Sequence, residues 1–96
     1  MTSEELKLLP GGNLVEKGLK DLGEGIDSEE ALLVSLAAPR LRGLGIDLPR
    51  LASVQRPYEH ALFTRIEERA PSGAHAAYNA LIGRIVSFAQ ALAATS

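Results

Sequence analysis

The chain has 96 residues, 46% of them hydrophobic, and a formal net charge of −2 at pH 7. That length supplies one modest core and not two. Cysteine is absent, which excludes a disulfide framework, a thiolate nucleophile and any Cys-ligated zinc or iron–sulfur site, and points to a reducing cytoplasm.

Only Tyr58, Phe63, Tyr78 and Phe88 are aromatic, while Leu and Ala recur throughout. Scarce aromatic and β-branched residues favour helices over sheets, so the composition predicts an all-α single domain: a compact bundle of about four principal helices plus short helical turns. The small net charge hides a gradient. Residues 1–30 carry −5 and residues 31–96 carry +3. Opposite signs on the two parts of the chain favour attraction within one subunit or between two, and neither is dense enough to call for a nucleic acid or a membrane.

In chain order, Thr2 and Glu5 have capping-box spacing, predicting a short helix over Ser3–Leu9 that Pro10, Gly11 and Gly12 end. Asn13 is the expected N-cap of a second helix, Leu14–Leu22. Leu14, Val15, Leu19 and Leu22 face inward on it, Glu16–Lys20 and Lys17–Asp21 pair on the outside, and Gly23 and Gly25 close it. Asp27 is expected to cap a third helix, with Glu30 completing a capping box. From Ala31 to Ala38 nearly every side is apolar, the pattern of a helix surrounded by others. Pro39 interrupts the ladder and restarts the chain as a short turn or helix through Leu44, which Gly45 stops.

Residues 45–56 show no clean period and read as a connection. Pro57 suits the first position of a helix through Arg69. Tyr58, Leu62, Phe63 and Ile66 face inward on it, and Glu59, Glu67 and Glu68 outward. Pro71 ends that helix and Ser72 is the expected cap of the last one. The predicted core comprises Leu33, Leu36, Leu62, Ile66, Leu81, Ile85 and Phe88.

The terminal helix is the most informative segment. Between Ala70 and Ser96 the only formally charged side chain is Arg84, over a length of about six helical turns. Tyr78, Leu81, Ile82, Ile85, Phe88 and Leu92 fall on one face, and Ala76, Ala80, Gly83, Ser87 and Ala91 on the other. A helix back that meets water normally carries Lys, Glu and Arg. A back of Ala, Gly and Ser instead invites close approach by another helix, and it predicts a homodimer interface at those five positions. A membrane span is not expected, because His75, Asn79, Arg84, Ser87 and Gln90 interrupt the segment and one mid-span Arg alone costs on the order of 2.5–3.5 kcal/mol. The acidic Met1–Glu5 stretch is also unlike a signal peptide, which opens basic.

Other motifs are weaker. Gly11-Gly12-Asn13 precedes a helix but lacks the Lys and Ser/Thr of a phosphate-binding loop, and reads as a stop followed by a new cap. A helix-turn-helix drawn over Leu14–Leu22 and Ser28–Ala38 would lead with Asp27, Glu29 and Glu30, which repel phosphates. Arg40, Arg42, Arg50 and Arg56, opposed only by Asp47, form the better nucleic-acid candidate, against a solvated connection that pairs with the acidic half. His60 lies on a polar helix side with no second His at i+4, so neither a metal site nor a cofactor site is expected there.

Arg69-Ala-Pro-Ser-Gly-Ala-His75 sets an Arg and a His across an interhelical turn, with Tyr78 one turn on. Over these seven residues the chain resembles the R-x4-6-H element of HEPN-domain ribonucleases, small all-α proteins that often act across a dimer interface. The resemblance implies that Arg69 would stabilise phosphorane charge and His75 would move a proton. The leading expectation remains a non-enzymatic interaction or assembly protein, homodimeric through the terminal helix. A nucleic-acid-associated regulator and a metal-independent ribonuclease are the competing readings.

Overall fold

The computed structural model describes residues 3–48 and 58–95. All its regular structure is helical: α1 Ser3–Lys7, α2 Gly12–Gly23, α3 Glu29–Leu36, α4 Ala38–Gly43, α5 Tyr58–Arg69 and α6 Ala74–Thr95. The all-α bundle predicted from composition is what forms, with α2, α3, α5 and α6 as its principal helices.

α3 is the central element. Ala31, Leu32, Leu33, Val34 and Ser35 are buried in succession, as a helix apolar on every side requires. α2 and α5 pack on it most extensively, and α6 joins α5 and α3. The core runs from Val15 and Leu22 through Leu33 and Leu41 to Leu62, Ile66, Ile85, Phe88 and Leu92. Of the seven predicted core residues, Leu33, Leu62, Ile66, Ile85 and Phe88 are buried, whereas Leu36 and Leu81 are half-buried and pack at its edge.

Two glycines set how closely the layers approach. Gly11 takes a left-handed φ of 74°, and a Cβ there would lie 2.8 Å from the carbonyl oxygen of Arg84, so the α1–α2 corner rests directly on α6. Gly18 is buried where α2 meets α3, a close approach that the sequence pattern does not announce.

The helix starts differ from expectation. α1 spans Ser3–Lys7 and continues only as a tight turn, with Leu8 and Leu9 donating to Glu5 and Leu6; Thr2 lies outside the described residues. Asn13 is not the cap of α2, which begins one residue before it behind Gly11 without a side-chain cap. Asp27 does not cap α3. The neighbouring Ser28 does, its Oγ accepting from the Ala31 N–H at 3.1 Å. The capping box with Glu30 is absent because Asp27 accepts from Arg65 of α5 and Glu30 lies 3.7 Å from Lys17. Lys17 pairs with Asp21 at 2.7 Å as expected, while Glu16 meets Lys7 at 3.4 Å rather than Lys20. Pro39 sits inside the first turn of α4, which starts at Ala38. Pro57 lies outside the described residues. α6 starts at Ala74, and the Ala77 N–H reaches the Gly73 carbonyl at 3.0 Å, so Gly73 and not Ser72 holds the cap position.

Candidate functional site

α6 presents its apolar side to the bundle through Ala74, Ile85, Phe88, Ala89 and Leu92, all buried. Its other side stays uncovered. Ala76, Ala80, Gly83 and Ser87 are exposed, and Ala91 is half-buried. A Cβ built on Gly83 would meet nothing within 4 Å. Asn79 and Gln90, within the same span, and Ala94 beyond it are exposed and uncharged too. Arg84, the one charge of the helix, stands at its margin, and its guanidinium has no hydrogen-bond or ion-pair partner among the described residues. At 1.5 Å per residue the 22-residue helix is about 33 Å long, so this is a long open face without the charges that normally solvate one.

Arg69 and His75 are not brought together. Arg69 is turned to Glu29 at the start of α3, with Nε at 2.5 Å and a second nitrogen at 2.9 Å from the two carboxylate oxygens. That bidentate bond, with the Glu29 charge, raises the guanidinium pKa above its ordinary value. His75 instead meets Phe63 at a tilt, ring centroids 4.9 Å apart and planes at 49°, and Tyr78 meets Phe63 edge-on at 5.8 Å. An Arg–His pair poised at one phosphate would need both side chains facing a common space, and here each is engaged elsewhere.

Arg65, Arg69 and Arg84 line a cavity of about 650 Å³ whose other polar groups are Ser28, Glu29, Glu30 and Glu68. Positive and negative groups balance within it. Arg65–Asp27 and Arg69–Glu29 join the acidic N-terminal part of the chain to its basic remainder, so part of the charge gradient is offset within one subunit. Of the four arginines singled out between 40 and 56, Arg40 and Arg42 are exposed on α4 and Arg42 donates to the Leu48 carbonyl at 3.2 Å. Arg50 and Arg56 lie outside the described residues. His60 is exposed, and no group of three His, Asp or Glu suited to a metal ion occurs among the described residues.

A part-buried polar junction ties α2 to α3. Asp21 accepts from Lys17 at 2.7 Å and from Ser28 Oγ at 2.6 Å while Ser28 caps α3. The Lys17 bond first, then the Ser28 bond, hold the Asp21 carboxyl below the ordinary carboxylate range, and the same bond to Asp21 raises Lys17.

One feature escapes the sequence pattern altogether. Leu36 and Ala37 face Ile82, Ile85, Val86 and Ala89 across an apolar groove of about 370 Å³ between the end of α3 and α6, with Arg40 and Gln90 at its margin. The only sequence sign is excess: α3 and α6 both carry more apolar side chains than one buried stripe needs.

No family model, curated protein or solved structure matches this chain. No helix among the described residues is long and apolar enough to cross a membrane.

Proposed function

We propose that this chain is a non-enzymatic assembly protein that pairs with a second copy of itself through the exposed face of α6. The observation that carries the reading is the uncovered, uncharged strip at Ala76, Ala80, Gly83 and Ser87, with Ala91 at its edge. Steps of three and four residues keep these positions on one side of the helix, and side chains this small allow a facing backbone to approach closely. A two-fold axis matches such a strip to itself, the usual geometry of a homodimer. The lack of cysteine suits a reducing cytoplasm. Commitment of Arg69 to Glu29 and of His75 to Phe63 favours assembly over ribonuclease chemistry. Arg65 and Arg69 are engaged by Asp27 and Glu29, so neither is free to extend the Arg40–Arg42 pair into a larger basic patch for nucleic acid.

Sedimentation equilibrium tests the proposal. Wild type is expected at dimer mass and Ala80→Glu at monomer mass, because the substitution places a charge where a backbone must approach. A wild-type monomer at high micromolar concentration overturns it.

A further inference from the structure

The geometry points to the groove between α3 and α6 as a binding site for an aliphatic carboxylate, a ligand with an unbranched apolar chain and one acidic end. The inference does not rest on the assembly reading: the groove is built on Ile82, Ile85, Val86 and Ala89, none of which belongs to the small-residue strip, and the two surfaces adjoin at Gln90. Three observations converge. The groove measures about 370 Å³, inside the range of roughly 300–1,000 Å³ typical of small-molecule sites. Its walls are aliphatic: Leu36 on α3 faces Ile82, Ile85, Val86 and Ala89 on α6, and Val86 remains 47% exposed, a large side chain that water does not solvate well.

Charge decides what belongs there. Arg40 lies at the margin of the groove on the exposed side of α4, and its guanidinium has neither a hydrogen-bond nor an ion-pair partner among the described residues. Gln90, also exposed and with its side chain unpartnered among them, adds an amide on the α6 side. No carboxylate among the described residues lines the groove, whereas the larger cavity balances its arginines with acids. An uncompensated guanidinium beside an apolar trough complements a single anion attached to a hydrocarbon, and it disfavours a cationic amphiphile. Guanidinium geometry suits the two oxygens of a carboxylate in particular. Length sets the chain: from Ile82 to Gln90 the helix advances about 12 Å, enough for roughly eight to ten extended carbons.

The test uses the full chain and the probes hexanoate, octanoate and decanoate below their micelle-forming concentrations. Amide chemical shifts and shifts in thermal midpoint are the readouts. The expected result is saturable perturbation centred on Leu36, Ala37, Val86 and Ala89. Affinity should rise about fourfold per methylene until the groove is full. Octanol and octylammonium should bind at least about tenfold more weakly than octanoate, and Arg40→Gln should bring octanoate down to the level of the alcohol without changing the unliganded midpoint. Val86→Glu, at an exposed position, should abolish binding in a folded protein. The inference is overturned if the groove amides do not move at millimolar probe, if alcohol and carboxylate bind alike, or if Arg40→Gln leaves octanoate binding intact.

Discussion

Gly18 of α2 and Val34 of α3 meet across a gap too narrow for a methyl group: a Cβ on Gly18 would lie 2.9 Å from Val34 Cγ1 and 2.5 Å from the Glu30 carbonyl oxygen. Alanine is a better helix former than glycine by about 1 kcal/mol, so propensity and packing oppose each other here. Packing wins, since the nearest obstacle is backbone. Gly18→Ala is expected to lower stability by about 1–3 kcal/mol. Gly83→Ala, where a Cβ meets nothing, is expected to raise monomer stability by about 0.5–1 kcal/mol. Urea midpoints at low protein concentration, at unchanged slope, check both.

The Asp21–Ser28 junction gives a pH-dependent expectation. Ser28→Ala removes the cap of α3 and one donor to Asp21, and should cost about 0.5–2 kcal/mol. The Asp21 carboxyl is held below its ordinary value of 3.8, so its contribution is complete above that value and is lost as the pH falls through the lower, folded-state one. Asp21→Asn should therefore be less stable than wild type near neutrality, and the two should converge in acid. A deficit that stays constant on acidification would place the cost in packing instead of the charge.

Burial ranks the core substitutions. Leu33 is 0% exposed, and Leu33→Ala should cost about 2–5 kcal/mol. Leu36 lies half-buried beside the open groove, and its truncation should cost less than about 2 kcal/mol, because part of its surface already meets water. Denaturant titration of the two variants side by side decides this, and equal losses would mean that the groove is closed in solution.

Leu36 and Leu33 also mark how far the sequence is legible. Helical period places both on the inward side, yet period cannot say where the neighbouring helix stops, and α6 does not close over the end of α3. The same limit explains the misplaced cap. Asp27 and Ser28 are both good cap residues, and what separates them is Arg65, 38 residues away, which takes the Asp27 carboxylate. Local pattern encodes neither that pairing nor the Arg69–Glu29 bond that removes Arg69 from His75. The open face of α6 was legible for the opposite reason: missing charge is a property of the helix alone, and needs no knowledge of its neighbours.

Assembly itself should register in stability. If α6 pairs two copies, the wild-type thermal midpoint should climb with protein concentration, since dilution favours the separated and then the unfolded chain. Ala80→Glu and Gly83→Leu should remove that dependence. Neither should lower the midpoint measured under dilute conditions by more than about 0.5 kcal/mol equivalent, because both positions are exposed and Gly83 has open space beside it. The contrast with Gly18→Leu is diagnostic: that substitution drives a large side chain into the Glu30 backbone and should unfold the chain at every concentration. A concentration-independent wild type would remove the dimer and leave the bundle intact. A strong loss of dilute stability in Ala80→Glu would instead mean that the chain covers this face itself.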